Sequence, residues 1–245
     1  MKDISIRIAE HNISVSVNYD STCKHCAAFF CDGTPDFFVT ITPADIAYER
    51  EVAAREDALE GLPVRNFSDA QLEITAVQRK IAERLFDYDT ILFHGSVVAV
   101  DGVGYLFTAK SGTGKSTHTR LWRQVFGDRA VMVNDDKPFL RITENGVTAC
   151  GSPWNGKHGL GANLEVPLQA VCILERGEEN IIRPIPAKGA VFMLLQQSNR
   201  PQDPRRMPKY LELLDKLSQQ VTFYRLACNM SPEAALVAYE AMGRK

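Results

Sequence analysis

A glycine-rich segment near the middle of the chain carries residue types that bind nucleoside triphosphates. It reads AKSGTGKS over 109–116 and fits the P-loop pattern, with alanine where the first glycine usually stands. Gly112 and Gly114 let backbone N–H groups turn toward phosphate oxygens without a Cβ clash. Lys115 can reach the β- and γ-phosphates of ATP, and the Ser116 hydroxyl can bind Mg²⁺. The predicted nucleotide-binding residues are Ser111, Gly112, Thr113, Gly114, Lys115, Ser116 and Thr117.

The surroundings of this segment bear on the alternative, a strand-to-helix turn that binds no nucleotide. A predicted strand at 104–109 precedes it, and a predicted helix over about 115–126 follows it. A helix begins with free N–H groups and the positive end of its dipole, which together attract phosphate. The segment therefore occurs in the context that a P-loop requires, and we favour that interpretation.

Two adjacent carboxylates follow the next predicted strand. Asp135 and Asp136 come after Asn134 and the apolar run AVMV, at the strand end where α/β sheets bind ligands. One carboxylate can hold Mg²⁺, and the other can accept the proton of an attacking hydroxyl. Alone, the pair is more typical of a solvated acidic turn. In a chain with a P-loop it favours catalysis.

Other polar residues could join this site. His94 lies on the strand pair before the glycine loop, so it is either a structural histidine or a group near the nucleotide. Lys157, in the loop GSPWNGK at 151–157, could neutralise phosphate or lie on the surface. A basic run comprises Arg200, Arg205 and Arg206. Such a run is usually a solvated loop, although one of these arginines could stabilise the charge of the transferred group.

The cysteines offer a competing site. Cys23, Cys26 and Cys31 cluster with His25 in CKHCAAFFC, which could give zinc three thiolates and an imidazole. No second C-x-x-C pair accompanies them, and the adjoining phenylalanines indicate core packing. Ordinary buried thiols are therefore favoured over zinc.

Composition limits the possible partners. The chain has 28 Lys and Arg against 30 Asp and Glu, a formal net charge of -2. This balance argues against nucleic acid as a partner. No apolar run approaches the roughly 20 residues of a membrane span, and the N-terminus alternates apolar and polar residues, unlike a signal peptide. We therefore expect a cytoplasmic protein with no membrane partner.

The elements that must position these residues form an α/β pattern. Alternation at 3–8 and 12–18 predicts a hairpin, 37–41 a third strand, and 44–60 a helix. We assign 1–66 to a small N-terminal α/β lobe, and a helix at 69–87 joins it to a catalytic domain over 67–245. That domain has predicted strands at 91–100, 104–109, 130–133, 168–176 and 221–227, with a hairpin turn at 144–146. Its predicted helices cover about 115–126, 187–198, 207–219 and 232–242, which indicates a mixed sheet flanked by helices.

Three segments together resemble the HPr kinase/phosphorylase and ATP-dependent phosphoenolpyruvate carboxykinase superfamily. They are FHGSVV at 93–98, AKSGTGKST at 109–117 and VNDDKPFL at 133–140. The resemblance covers about 90–180 and implies a P-loop core like that of the HPr kinase C-terminal domain. It implies Lys115 and Ser116 at the phosphates and Mg²⁺, Asp136 in the metal site and Asp135 as the base. The predicted catalytic residues are Asp135, Lys115 and His94, and the predicted metal ligands are Ser116 and Asp136.

The chain differs from the family in the segments that bind substrate, and this limits the range of possible substrates. GSPWNGK stands where the HPr kinase signature would follow, and the carboxykinase's additional substrate-binding segments are not seen. The chain is more similar to superfamily kinases that act on peptide serine or small hydroxyl compounds. We therefore expect an ATP- and Mg²⁺-dependent kinase with a hydroxyl-bearing small-molecule or peptide acceptor. A nucleotide-binding regulatory module and a carboxykinase-like lyase are the alternatives, and a homo-oligomer is possible.

Overall fold

The computed structural model describes residues 1–110 and 112–243. The chain divides into two compact units, Met1–Leu85 and Phe86–Lys245. Ser111, one of the predicted nucleotide-binding residues, lies outside the described residues. Within these ranges, no helix combines the length and apolar character needed to cross a membrane.

The N-terminal unit is a small sheet with helices. Its elements are β1 (Lys2–Ile8), β2 (His11–Val17), α1 (Asp20–Cys26), β3 (Phe37–Thr40), α2 (Pro43–Leu59) and α3 (Asp69–Leu85). β1 and β2 form the predicted hairpin, turning through Ala9 (φ 51°) and Glu10 (φ 68°), and β3 runs parallel to β2. Alternate strand residues such as Ile6, Ile13 and Val15 are buried, so one face of the sheet forms the core.

The helix α3 belongs to this unit, although the sequence suggested a boundary at residue 66. Glu73 on α3 is fully buried and accepts hydrogen bonds from Asn18 N (2.7 Å), Tyr19 N (3.0 Å) and Thr22 Oγ1 (2.6 Å). A buried carboxylate needs such donors, and the segment after β2 and the first turn of α1 supply them. The division therefore follows Leu85 rather than preceding α3.

The C-terminal unit is built on a curled mixed sheet. Its strands are β4 (Thr90–Leu92), β5 (Ser96–Val100), β6 (Val103–Thr108), β7 (Ala130–Asn134), β8 (Phe139–Thr143), β9 (Gly146–Cys150), β10 (Glu165–Arg176), β11 (Ile181–Ile185) and β12 (Thr222–Cys228). They are ordered β4-β8-β9-β10-β6-β5-β7, with β12 paired to β10 and β11 to β12. β10 begins antiparallel to β9 and continues parallel to β6 and β12, and the sheet curls where it changes partners.

Helices cover both faces of this sheet. They are α4 (Lys115–Phe126), α5 (Ala187–Gln197), α6 (Met207–Gln220) and α7 (Glu233–Met242). Val97 points into a core with α5 and α6, whereas Val98 points into a second core with α4 and α7. Successive strand residues face opposite sides, so a strand covered on both faces is apolar throughout. The predicted mixed sheet flanked by helices is confirmed.

The prediction of a single strand at 91–100 is wrong. The structure interrupts it at 93–95, because the chain there changes partners: β4 pairs with β8, and β5 pairs with β6 and β7. The break brings Gly95 so close to β6 that an added Cβ would meet Leu106 Cδ2 and Phe107 O at 3.0 Å. His94 therefore lies in an irregular segment at the end of β4.

Candidate functional site

The glycine loop lies between the end of β6 and the start of α4. Gly112 (φ 75°) and Gly114 (φ 123°) adopt the left-handed region, which residues with a Cβ rarely enter. Gly114 is the N-cap of α4 and supplies no side-chain cap to the helix. Among the described residues no side chain caps α4 at Gly114, so the first N–H groups of the helix can bind an external acceptor, and an anion is the partner that the helix dipole favours.

Contacts from the loop and from β10 hold this backbone. Thr113 donates to Lys110 O through its N–H (3.2 Å) and through its hydroxyl (2.8 Å). The Arg176 guanidinium on β10 donates to Gly112 O at 2.8 Å. Lys115, Ser116 and Thr117 form the first turn of α4 and are partly exposed. The loop can therefore present backbone N–H groups, an ammonium and two hydroxyls to one ligand.

Asn134 organises the acidic turn that follows β7. Its fully buried Oδ1 accepts the N–H groups of Asp136 (2.8 Å) and Lys137 (2.6 Å). Its Nδ2 donates to the carbonyl (3.1 Å) and hydroxyl (3.0 Å) oxygens of Ser152. The turn also bonds to β5 and the break before it, because Ser96 Oγ donates to Asp135 O at 2.8 Å. One side chain thus joins the acidic turn to the loop at 151–157.

Asp135 is buried beneath that loop, with an exposure of 4%. Its Oδ1 accepts the N–H of Gly156 at 2.6 Å. Its Oδ2 is buried and has no hydrogen-bond partner among the described residues. Burial raises the pKa of Asp135 above its ordinary value, and the N–H groups of Gly156 and Leu160 only partly offset this. A carboxylate in this setting has an increased affinity for a proton.

Asp136 lies in a different environment one residue later. Its Oδ1 is 3.3 Å from His94 Nε2 and its Oδ2 is 3.9 Å from Lys137 Nζ, and a third of the side chain is exposed. Burial alone would raise the pKa of Asp136, but the His94 hydrogen bond and the charges of Lys137 and Lys115 lower it below its ordinary value. Asp136 is therefore ionised at neutral pH and suited to a cation.

Lys115 belongs to the same group of charges. The pKa of Lys115 is lower than its ordinary value, because burial and the charge of Lys137 together lower it more than the charge of Asp136 raises it. The structure thus brings together His94, Lys115 and Asp136, which lie far apart in the sequence. Sequence reasoning missed Lys137, whose position directly after the two aspartates was the available signal.

The other predicted basic residues have partners outside the acidic turn or lie at the surface. Lys157 is exposed. Arg200 donates to Leu195 O, Arg205 pairs with Asp203, and Arg206 pairs with Asp87. Each of the three arginines thus has a partner outside the acidic turn.

The cysteine cluster does not form a metal site in the structure. Among the residues that the structure describes, no group of three or more His, Cys, Asp or Glu side chains could hold a metal ion. Cys26 is fully buried, and burial raises the pKa of its thiol to about 12. It therefore remains a thiol at neutral pH.

A cleft of about 620 Å³ adjoins the glycine loop within the C-terminal unit. Its lining combines the loop, the end of β10, Arg225 and one side of α5. Phe192 on α5 is 71% exposed, which is unusual for so large an apolar side chain. The volume lies within the range of small-molecule sites, and the lining has apolar as well as polar surface.

Comparisons with known proteins give a matching family and similar solved structures. A family model described as "ScmC: SynChlorMet cassette protein ScmC" matches residues 63–237. This is not the family that the motifs suggested. The structure of the Hpr(Ser) kinase/phosphatase from Coxiella burnetii is similar at 16% identity and a TM-score of 0.31, covering 52% of this chain and 90% of that chain. No curated protein matches the chain.

Proposed function

The chain belongs to the family of SynChlorMet cassette protein ScmC, and because that description states no reaction, we propose a function from the site itself. The protein is an ATP- and Mg²⁺-dependent kinase that transfers the γ-phosphoryl group to a hydroxyl group. The acceptor is a small molecule or a peptide serine.

One observation carries this proposal: the lysine that follows the left-handed glycine turn also interacts with a carboxylate of the acidic turn. Lys115 begins the helix after the left-handed glycine turn, and its ammonium interacts with Asp136. Asp136 in turn contacts His94. In phosphoryl transfer the protein mainly positions the phosphates and neutralises their charge, and this combination of groups supplies both.

The residues present fit a nucleotide and Mg²⁺. The N–H groups at the start of α4 and the Lys115 ammonium would bind the β- and γ-phosphates. Ser116 and Asp136 would hold Mg²⁺, because a hydroxyl and an ionised, partly exposed carboxylate are ligands that this cation accepts. Bound there, Mg²⁺ neutralises phosphate charge. The cleft beside the loop would take the nucleoside, with Phe192 as an apolar wall.

Asp135 is the proposed general base. Its buried Oδ2 has no hydrogen-bond donor among the described residues, and burial raises the pKa of the carboxyl. As the acceptor oxygen bonds to the γ-phosphorus, the bond from that phosphorus to the β–γ bridging oxygen breaks, and ADP leaves with the electron pair. The hydroxyl proton passes to Asp135 Oδ2.

The test is single-turnover transfer from γ-labelled ATP to a panel of hydroxyl metabolites and serine peptides. Wild-type protein should label an acceptor, whereas Lys115→Ala should lose at least about 10³-fold in rate, because Lys115 occupies the motif position that contacts the β- and γ-phosphates. Near-normal transfer by that variant would remove the glycine loop from the mechanism.

A nucleotide-binding regulatory module is the rival function. It is favoured by the position of Asp135, which is 4% exposed and held by the N–H of Gly156. A carboxylate that remains covered binds no acceptor. Tight MgATP binding without transfer to any member of the panel would support this module and contradict the kinase.

A further inference from the structure

Lys137 is anchored more firmly than a surface lysine. Its N–H donates to Asn134 Oδ1 at 2.6 Å, and its carbonyl accepts the Ser152 hydroxyl at 2.7 Å. Asn134 and Ser152 are fully buried, so the backbone of Lys137 is fixed on both sides. About 30% of the Lys137 side chain is exposed. The fold therefore holds this ammonium at the acidic turn.

Lys137 forms a long ion pair with Asp136. Its Nζ lies 3.9 Å from Asp136 Oδ2, beyond hydrogen-bond length, and the same carboxylate contacts His94. The charge of Lys137 also acts on Lys115, which itself interacts electrostatically with Asp136. The charges of two lysines thus act on one carboxylate. Such a surplus of positive charge favours binding of a further anion.

A cation at Asp136 would make that need for an anion stronger. The Lys137 ammonium would be repelled by a metal ion on the carboxylate that it now faces. Its nearest alternative would be the phosphate that the same metal ion binds. Of the arginines predicted to stabilise transferred charge, Arg205 pairs with Asp203 and Arg206 pairs with Asp87. Lys137 is therefore available to stabilise the charge of the transferred phosphoryl group, the role that the sequence suggested for an arginine.

We propose that Lys137 contacts the phosphoryl group in transit and stabilises its charge between ADP and the acceptor. This inference rests on the kinase function proposed above. Lys137 keeps its own proton throughout: the bond from phosphorus to the bridging oxygen breaks, the bond to the acceptor oxygen forms, and the acceptor's proton passes to Asp135. Lys137 is a catalytic residue in this scheme, whereas Asn134 and Ser152 are positioning residues.

The experiment compares ligand affinities rather than rates, so it needs no acceptor. MgADP, and MgADP with aluminium fluoride as a mimic of the phosphoryl group in transit, are titrated by calorimetry into the full chain and its variants. The variants are Lys137→Met, Lys137→Arg and the control Lys216→Met. Lys216 pairs with Glu144 and Glu212 on the surface, so its variant removes the same charge elsewhere.

Lys137→Met should bind MgADP within about two-fold of wild type but should bind the fluoride complex roughly 10²-fold more weakly, as for loss of one charge-stabilising donor. Lys137→Arg should recover most of that loss, and Lys216→Met should change neither affinity. Unchanged affinity for the fluoride complex in Lys137→Met would overturn the proposal. So would an equal loss for both ligands, which indicates a structural role.

Two controls separate this inference from the kinase function. Thermal unfolding of each variant shows whether it is folded, and Lys137→Gln, which also removes the charge, takes the place of the Met variant if that variant is not folded. Wild-type protein that binds neither ligand would overturn the kinase and the role of Lys137 together. Wild-type protein that binds both, with no difference in the folded variant that lacks the charge, would overturn the role of Lys137 alone.

Discussion

Glu73 in the N-terminal unit and Asp135 in the C-terminal unit are both buried carboxylates, but their hydrogen bonding differs. Both oxygens of Glu73 accept hydrogen bonds, from the backbone and amide of Asn18, the backbone of Tyr19 and the hydroxyl of Thr22. Asp135 has the N–H of Gly156 on Oδ1, while Oδ2 is buried without a partner among the described residues. A satisfied buried carboxylate fixes a fold, whereas a partly satisfied one retains capacity for chemistry.

We expect the largest effect, on the rate of phosphoryl transfer, when Asp135 is replaced by a residue that is a poor proton acceptor. Asp135→Asn keeps the side-chain shape and the acceptor for Gly156 N–H, so MgATP affinity should stay within a few-fold. Single-turnover transfer should slow by roughly 10²- to 10⁴-fold, because an amide oxygen is a poor base. That is about 2.7 to 5.4 kcal/mol of barrier. Transfer at the wild-type rate would place the base elsewhere, and loss of MgATP binding would place Asp135 in the metal site.

A smaller effect is expected from Glu73, and on stability instead of chemistry. Glu73→Ala leaves the buried N–H groups of Asn18 and Tyr19 without an acceptor, which should lower the free energy of unfolding by about 3 kcal/mol. Glu73→Gln keeps an acceptor oxygen and should lose less. Urea denaturation followed by circular dichroism measures both variants, and tryptophan fluorescence reports on the C-terminal unit, which contains Trp122 and Trp154. If Glu73→Ala were as stable as wild type, Glu73 would not be an anchor.

The smallest expected effect is on the pH dependence of stability. Burial raises the pKa of Asp135 above its ordinary 3.8, so its stabilising contribution is present below pH 3.8 and is lost as pH rises through the folded-state pKa. At Asp136 burial is outweighed by the His94 hydrogen bond and by the neighbouring lysine charges, which lower its pKa. Its contribution is present above pH 3.8 and is lost as pH falls through the folded-state pKa.

Matched variants test this contrast between neighbours. Relative to wild type, Asp135→Asn should be more stable at pH 7 than at pH 3.5, and Asp136→Asn should show the opposite trend. The measurement is the free energy of unfolding in urea at both pH values. Parallel trends in the two variants would mean that the two aspartates share one environment.

Much of the architecture could be predicted from the sequence. The hairpin of β1 and β2, the helix α4 and the strand β7 are confirmed, because each follows from a local periodicity. The break at 93–95 could not be predicted, since FHG continues an apolar run and only pairing with separate strands divides it. β11 was missed for a related reason: it is mostly exposed and carries Pro184, so it lacks a strand pattern.

The boundary between the units also could not be predicted from local sequence patterns. α3 has a clear apolar face that any neighbouring core could bury, and its periodicity does not identify which one. The donors that meet Glu73 lie more than fifty residues earlier, at Asn18 and Thr22. The assignment of α3 therefore depends on a long-range contact that local sequence patterns do not contain.

The sequence by itself determined the features that depend on neighbours in the chain. Gly112 and Gly114 permit the left-handed turn, and Asn134 can accept N–H groups two and three residues later, because both are properties of short backbone segments. Only the tertiary structure gave Asp135 and Asp136 their different environments and placed Lys137 near Asp136. The loop at 151–157 buries Asp135 and anchors Lys137, while the break at His94 supplies a partner for Asp136. A carboxyl group's pKa depends on burial and nearby charge, and residues distant in the sequence provide both.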